Sequence, residues 1–195
     1  MSRQSVGQTD GRGSRRYICS PCHEDTPLEG ILCFDNHFLE RAAMMTEEEV
    51  RTRFHQCPTA FYCIFQEVDG RPHLRGYFVV LPLTVSCASA IRCGEITAGR
   101  QILPTDLVPP NEPAEAAYLS VVCGVGARAR AALIAEGVQA VRNLYRDRGT
   151  RFLFARAATD AGARILTRLT RQKFIPDGII HEIDLSRYRN VTLPE

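Results

Sequence analysis

The chain has 195 residues, of which 45% are hydrophobic and 24% are charged, a composition that suits one folded domain with a sizeable core. Its formal net charge of +2 is close to neutral, which argues against a strong basic field and against nucleic acid as the main partner. No stretch approaches the run of about 18 apolar residues that a membrane span needs. Composition therefore predicts a protein without a membrane partner.

The first 16 residues are polar and rich in Gly, Ser and Arg, and they lack the apolar segment of a secretory signal. We expect residues 1–16 to form a flexible tail and residues 17–195 to form a single domain. Without an export signal, the expected location is the cytoplasm. The eight cysteines are then expected to be mostly reduced and packed as small apolar groups.

One group of cysteines allows a second interpretation. Cys19, Cys22, Cys33 and His37 have spacings that a Cys₃His zinc site can use. Against zinc, residues 30–34 (GILCF) alternate like a strand, which would place Cys33 in the core. Packed thiols are the favoured interpretation, and the zinc site remains an alternative.

Two helices are predicted next. The first begins at His37 and ends near Thr46. The second begins at Thr46, whose hydroxyl and the carboxyl group of Glu49 form the sequence pattern of a capping box, and ends before Pro58. Glu47, Glu48 and Glu49 also suit the positive end of that helix.

A β-hairpin follows. Residues 60–67 (AFYCIFQE) and 74–81 (LRGYFVVL) are rich in β-forming residues, and Asp69-Gly70 between them is typical of a tight hairpin turn. Pro82 is predicted to close the hairpin. Thr84 then caps a short helix that ends at Gly94 in a left-handed conformation.

Residues 95–115 contain four prolines, a density that no regular core element tolerates. A long loop in a compact domain is usually functional or mobile. Four carboxylates in this loop could bind a substrate amine, although each is also typical of a solvated loop: Glu95, Asp106, Glu112 and Glu115.

The stretch from Ala116 to Arg148 predicts a phosphate-binding element. A short β-prone run ends in a turn at Gly124 and Gly126, and a long Ala- and Leu-rich helix follows. The first N–H groups of a helix have no partner within it, and glycines let an anion approach them. Arg128 and Arg130 in the first turn could fork onto phosphate oxygens.

After Gly149, residues 151–157 (RFLFARA) alternate as a strand that can lie parallel to Ala117–Val122, because a long helix joins the two. Thr159 or Asp160 then caps a helix that runs to Phe174. A last strand is predicted at residues 179–185 (IIHEIDL).

This order of elements, from about Leu28 to Leu185, resembles the GCN5-related N-acetyltransferases, or GNAT family. That family carries Arg/Gln-x-x-Gly-x-Gly/Ala at its cofactor turn, and Gly124–Ala131 is the matching stretch here. Asp160, Leu169 and Lys173-Phe174 stand where the family often has an asparagine, a tyrosine and Gly-Phe. The missing tyrosine matters because it often protonates the leaving thiolate.

The resemblance implies an α/β (α+β) fold with a mixed, mostly antiparallel sheet, a central parallel strand pair and helices on both faces. It implies an acyl-CoA-dependent N-acyltransferase in which a small amine or protein amine attacks acetyl-CoA directly in a ternary complex. The chain is expected to be a monomer or a homodimer. The residues that the resemblance places against coenzyme A are Val121, Val122, Cys123, Gly124, Val125, Gly126, Ala127, Arg128, Ala129, Arg130, Ala131 and Asp160.

Four residues are candidates for the chemistry. Glu115, Tyr118 and Ser120 border the implied site and could transfer protons. With Leu169 at the usual acid position, Tyr118 or Cys123 could supply the proton, or the thiolate could leave without help. Cys123 could also be a nucleophile, although a packed thiol is favoured.

Two alternatives to the enzyme remain. The first is a catalytically inactive domain of the same fold that senses coenzyme A or binds another protein, which the missing tyrosine favours. The second is a zinc-stapled regulatory protein that uses Cys19, Cys22, Cys33 and His37.

Overall fold

A computed structural model of the chain describes residues 17–22, 28–32, 46–157, 160–169, 173–174 and 180–188. Its seven strands are β1 (Tyr17–Pro21), β2 (Phe61–Val68), β3 (Arg71–Leu83), β4 (Ala116–Gly124), β5 (Phe152–Arg156), β6 (Lys173–Phe174) and β7 (Ile180–Asp184). Its longer helices are α1 (Glu47–Gln56), α2 (Val85–Arg92), α3 (Ala127–Arg148) and α4 (Asp160–Leu169). No helix in these ranges is long and apolar enough to cross a lipid bilayer.

The strands form one sheet in the order β1-β2-β3-β4-β5-β7-β6. Neighbouring strands run antiparallel except β4 and β5, which are parallel and are joined by α3. A parallel pair needs a long crossover, and the 22-residue helix α3 provides it. The predicted mixed sheet with a central parallel pair is therefore confirmed.

Each face of the sheet buries its own core. On one face, Val50 and Phe54 of α1 and Ile91 of α2 pack with side chains such as Tyr118 and Phe154. On the other face, helices α3 and α4 cover a second cluster that includes Ile64, Phe78, Leu133, Leu153, Leu166 and Ile183. Helices on both faces were predicted, and the two clusters confirm it.

The predicted turns and caps have the expected geometry. Asp69 and Gly70 have φ angles of 52° and 74°, as a tight hairpin turn between β2 and β3 requires. The Thr46 capping box is present at the start of α1, and the hydroxyl of Thr84 accepts the Cys87 N–H at the start of α2. Gly94 after α2 has a φ of 77°.

The predicted end of the hairpin at Pro82 is wrong, because β3 continues to Leu83. Pro82 pairs with Ala117 of β4, and its carbonyl oxygen accepts the Val108 N–H at 3.0 Å. In a strand the N–H and C=O of one residue point to the same side. The nitrogen of Pro82 therefore faces the loop around Val108, and the ladder with β4 loses no hydrogen bond.

Two other expectations are corrected. Residues 29–32 are helical, with the Leu32 N–H bonded to the Leu28 carbonyl at 3.0 Å, so the strand predicted over residues 30–34 is wrong where it is described. Lys173–Phe174 is a short strand beside His181 and Ile180, and the helix predicted to reach Phe174 has its last described residue at Leu169. The helix predicted from His37 lies outside the described residues.

Candidate functional site

A β-bulge lies in the middle of β4. Val79 of β3 pairs with Val121, whereas the next residue, Val80, pairs with Leu119, so Ser120 is an extra residue on β4. An extra residue reverses the alternation of side chains along a strand. Tyr118 and Cys123, five positions apart, therefore enter the same core cluster.

At the bulge, the pairing between β4 and β5 ends. The parallel pairing runs from Ala116–Phe152 to Leu119–Ala155, and β5 ends at Arg156 while β4 continues to Gly124. Ser120–Gly124 thus extends past the last residue paired with β5. We call this region, where β4 runs past its last pair with β5, the splay.

The turn that follows β4, Gly124–Gly126, leads directly into α3. Gly126 has φ 85° and ψ 158°, a backbone conformation that only glycine adopts readily, and open space surrounds the position of a Cβ there. The first helical hydrogen bond runs from the Arg130 N–H to the Gly126 carbonyl, at 3.1 Å. The N–H groups of Ala127, Arg128 and Ala129 precede it and have no partner within the helix.

Glycines also bring this turn close to the sheet. A Cβ on Gly76 of β3 would lie 2.5 Å from the carbonyl oxygen of Cys123 and 2.9 Å from the Cα of Gly124. A Cβ on Gly124 would collide with the buried side chain of Leu133 in α3. The first turns of α3 therefore rest directly on the end of β4.

The surface around the turn combines positive charge with apolar side chains. Arg128 and Arg130 are exposed in the first turn of α3, where no side chain caps the helix and no acidic residue is present. Val122 is 50% exposed, and Val125 and Ile134 are also exposed. Such a surface fits a molecule that joins phosphate groups to a less polar arm.

Tyr118 is buried under the loop before β4. It is 2% exposed, and the Gly99 N–H donates a hydrogen bond to its phenol oxygen. Burial raises the pKa of Tyr118 to about 12, although the charge of Arg156 at the end of β5 opposes the shift. The phenol therefore stays neutral at physiological pH, and the raised pKa makes it a weaker acid than an ordinary tyrosine.

Two of the four catalytic candidates, Ser120 and Cys123, lie at the splay. Tyr118 is paired with Phe154 before it, and Glu115 lies elsewhere. Ser120 is half-buried at the bulge, and its hydroxyl lies 3.3 Å from the position of a Cβ on Gly99. Cys123 is 8% exposed near the end of the strand. Glu115 precedes β4 at its opposite end, where its carbonyl oxygen accepts the N–H groups of Arg151 and Phe152.

Asp160, the remaining candidate for the cofactor, is exposed at the first residue of α4, four positions after the end of β5 at Arg156. Leu169 is the last described residue of that helix. The start of α4 therefore follows the same strand end that borders the splay.

Two arginines that the sequence analysis does not single out fasten the proline-rich loop. Arg53 of α1 is 3% exposed and donates to the carbonyl oxygens of Arg100 and Ile102, at 3.1 and 2.6 Å. Arg148 at the end of α3 donates to the carbonyls of Pro109 and Glu112, at 2.7 and 2.8 Å. The loop over Tyr118 and Ser120 is therefore tied to two helices.

A further carboxylate lies in line with Tyr118. Tyr118, Phe154 and Glu182 are consecutive partners across β4, β5 and β7. Glu182 accepts hydrogen bonds from Arg92 at 2.6 and 3.1 Å, and the Arg92 guanidinium also lies 4.6 Å from the centre of the Phe152 ring. The sequence shows that Glu182 is a polar residue within the predicted last strand, but it does not show which residues neighbour Glu182 in the sheet.

The geometry separates the two described cysteines of the zinc alternative. Cys22 belongs to the core cluster under α1 and α2, whereas Cys19 packs against the cluster under α3 and α4. The Cys22 sulfur lies 3.4 Å from that of Cys63. Among the described residues no group of three or more His, Cys, Asp or Glu side chains could hold a metal ion. Cys33 and His37 lie outside these residues.

No protein-family model and no curated protein sequence matches this chain. Solved structures do. A GNAT-family acetyltransferase from Listeria monocytogenes is 10% identical at a TM-score of 0.54, with 89% of this chain and 97% of that one covered. The loading GNATL domain of CurA from Lyngbya majuscula is 9% identical at a TM-score of 0.54. The match covers 73% of this chain and 65% of that one.

A third solved structure is the GNAT-like decarboxylase GphF in complex with isobutyryl-CoA. It is 13% identical at a TM-score of 0.51, with 79% and 72% of the two chains covered. The chain therefore has the GNAT fold, at low sequence identity to each of these proteins, and the predicted fold class is confirmed.

Proposed function

We propose that this chain, which has the GNAT fold, is an acyl-CoA-dependent N-acyltransferase that moves an acetyl group from acetyl-CoA to an amine in a ternary complex. The observation that carries the proposal is that β4 continues beyond its last pair with β5 and leads through a glycine turn into the uncapped start of α3. The complex of GphF with isobutyryl-CoA supports an acyl-CoA as the co-substrate. The acceptor is proposed to be a small amine or a protein amine.

The start of α3 fits the diphosphate of coenzyme A. The N–H groups of Ala127, Arg128 and Ala129 need an acceptor, and the chain supplies no capping side chain. Gly126 leaves open the space that a Cβ would fill. Arg128 and Arg130 are the cations that would fork onto phosphate oxygens.

The splay fits the reacting end of the same molecule. Acetyl-CoA would supply a thioester, whose carbonyl carbon the amine attacks to form an amide as coenzyme A leaves as its thiolate. Backbone N–H groups of Ser120–Cys123 lie beyond the last β4–β5 pair, where they can polarise that carbonyl without rearrangement. The bulge at Ser120 directs which of these groups faces the splay.

Proton transfer is assigned to residues around the bulge. An alkylammonium must lose a proton before it attacks, and we propose Glu182, two strands from Tyr118 and ion-paired with Arg92, as the carboxylate that takes it through water. Tyr118 and Ser120 are the proposed proton donors, although the raised pKa of Tyr118 makes its phenol a weaker acid than an ordinary tyrosine. Cys123 is retained as a possible proton donor, and Glu115 is dropped because it lies at the far end of β4.

The test is the release of free thiol from acetyl-CoA by the full chain in the presence of a panel of small amines and Lys-containing peptides. We expect release that depends on an amine, and a loss of about tenfold or more in kcat for Ser120→Ala and Glu182→Gln. Glu48→Gln on the exposed face of α1 is the matched control and should leave the rate unchanged.

A second candidate is a domain that binds coenzyme A without catalysis. The burial of Tyr118, together with Leu169 at the usual acid position, favours it. Calorimetry with coenzyme A and the thiol assay together separate the two candidates. Binding of coenzyme A without thiol release from acetyl-CoA in the presence of any amine supports the second. No binding of any acyl-CoA and no release would contradict both.

A further inference from the structure

Two cysteines away from the splay have their sulfur atoms in contact. Cys22, the residue after β1, and Cys63 of β2 are 41 positions apart in the chain, and their sulfurs lie 3.4 Å apart. Both belong to the core cluster under α1 and α2. Neither is assigned above to coenzyme A or to proton transfer. The proposed function therefore leaves this pair of thiols without a role.

The pairing of β1 with β2 produces the contact. Ser20 is the partner of Cys63 in the register, and the Cys22 N–H donates to the Phe61 carbonyl oxygen at 2.7 Å. The backbone of Cys22 is thus bonded to β2 two residues from Cys63. A disulfide bond is about 2.0 Å long, so the two sulfurs must approach by about 1.4 Å to form one. Cys22 follows a strand at the edge of the described sheet, where a shift of this size disturbs a single neighbouring strand.

Both thiols are protected while β1 is paired. Cys22 and Cys63 are 1% and 2% exposed. The hydrogen bond with Cys22 and burial raise the pKa of Cys63, so its thiol stays protonated. A buried, protonated thiol reacts slowly because the thiolate is the nucleophile. Reaction therefore requires the end of β1 to open, and β1 has only five residues and pairs with β2 alone among the described strands.

We propose that Cys22 and Cys63 form a reversible disulfide when the chain meets a disulfide oxidant. In the open state the Cys22 thiolate attacks one sulfur of the oxidant, which forms a mixed disulfide and releases one oxidant thiol. When β1 pairs again, the Cys63 thiolate attacks the Cys22 sulfur and the second oxidant thiol leaves. Two cysteine thiols are oxidised, the oxidant disulfide is reduced to two thiols, and the two cysteine protons end on those thiols.

The bond would close a loop that contains α1. Arg53 on α1 donates to the carbonyl oxygens of Arg100 and Ile102, so this loop also includes a residue that fastens the segment over Tyr118. A cross-link removes conformations from the unfolded chain, and the stabilisation grows with the length of the closed loop. The oxidised chain should therefore unfold at a higher temperature than the reduced chain. The proposal goes beyond the acyltransferase function and does not depend on it.

The experiment treats the full chain, without coenzyme A, with oxidised glutathione until the number of free thiols is constant. The remaining thiols are blocked with iodoacetamide in denaturant, and the digested chain is mapped by mass spectrometry. We expect a peptide pair joined through Cys22 and Cys63, and a Tm about 5 °C or more above that of the reduced chain. Dithiothreitol should reverse both changes.

Cys63→Ser should lose the cross-link and the rise in Tm. Cys93→Ser, which removes an exposed thiol after α2, is the matched control and should keep both. The peptide map needs only the unaltered chain, so it decides the matter even if Cys63→Ser does not fold. The proposal is overturned if Cys22 and Cys63 stay reduced, if either pairs with another cysteine, or if glutathione adducts form in place of the cross-link. A rise in Tm that persists in Cys63→Ser would also overturn it. Coenzyme A is absent from the assay, so a failure here leaves the acyltransferase proposal untouched.

Discussion

Helices α1 and α3 differ in whether their first N–H groups have capping acceptors. Thr46 closes α1 with a capping box, in which its hydroxyl accepts the Glu49 N–H at 3.2 Å and the Glu49 carboxylate accepts the Thr46 N–H at 2.6 Å. Three acidic residues fill the first turn of α1. At α3 the N-cap is Gly126, with no capping side chain, no acidic residue and two arginines.

The difference separates a helix whose first N–H groups are capped by its own sequence from one whose first N–H groups have no capping side chain. A glycine N-cap costs a few tenths of a kcal/mol relative to a capping side chain, and each cation near the start costs some tenths of a kcal/mol more. α3 tolerates this because it is 22 residues long and buries Leu133, Ala140 and Val141. An anion bound at its start would recover the cost, whereas α1 has nothing to recover.

The largest effect is expected for Gly126→Ala. Alanine strongly disfavours φ 85° with ψ 158°, so the turn must rearrange and the N–H groups of Ala127–Ala129 lose their common direction. We expect the Kd for coenzyme A to rise about tenfold or more, measured by calorimetry. Gly149→Ala is the control, because Gly149 ends the same helix with a φ of 70° in open space. Equal loss of affinity in both variants would remove the distinction between the two ends of α3.

The double variant Arg128→Gln, Arg130→Gln should separate affinity from stability. We expect coenzyme A to bind about tenfold more weakly, because two charge-assisted contacts to phosphate are lost. The free protein should become slightly more stable, by some tenths of a kcal/mol per residue, because both cations oppose the helix dipole. Calorimetry and urea unfolding measure the two quantities.

Arg146→Gln, an exposed arginine in the last turn of α3, is the control for this double variant. It should leave the affinity for coenzyme A unchanged. A double variant that loses stability and keeps its affinity would show that these arginines are structural.

Thr46→Ala at the start of α1 should lower stability and leave the affinity for coenzyme A unchanged. Removing the cap leaves the Glu49 N–H without its acceptor and lowers the free energy of unfolding by about 1 kcal/mol. Affinity for coenzyme A should not change. Urea unfolding followed by circular dichroism gives the first quantity, and a change in coenzyme affinity larger than twofold would contradict the assignment of separate roles.

The smallest effect concerns pH. The Thr46 N–H that bonds to the Glu49 carboxylate lowers the pKa of Glu49. A lowered pKa stabilises the folded state above the ordinary glutamate value and loses that contribution as the pH falls through the folded value. The stability difference between the unaltered chain and Glu49→Gln should be a few tenths of a kcal/mol at pH 7, because the group is exposed, and should shrink in acid. A difference that grows in acid would contradict the cap.

Local features of the sequence predict most of the elements. Thr46-Glu-Glu-Glu, Asp69-Gly70 and the glycines at 124 and 126 each depend on a few neighbouring residues, and each forms the expected cap or turn. Strand β1 has no such signal and was not predicted, because its place at the sheet edge is set by pairing with β2, more than 40 residues away. The strand predicted over residues 30–32 was wrong because a short apolar run fits a helix as well as a strand.

The residues of the candidate site divide in the same way between local and long-range features. The turn and its arginines are contiguous in the sequence, so they could be named. The bulge at Ser120 depends on the register with Val79 and Val80, and the alignment of Glu182 with Tyr118 depends on two intervening strand pairs. The burial of Arg53 depends on carbonyls of a loop nearly 50 residues away. None of these relations leaves a pattern along the chain.

The most direct measurement is an amide NMR titration of the ¹⁵N-labelled full chain with coenzyme A. The amide signals of Ala127, Arg128 and Ala129 should shift and saturate together, while those of Glu47, Glu48 and Glu49 at the capped start of α1 stay in place. If saturating coenzyme A leaves the three amides at the start of α3 unmoved, the diphosphate does not bind there and the central claim is wrong.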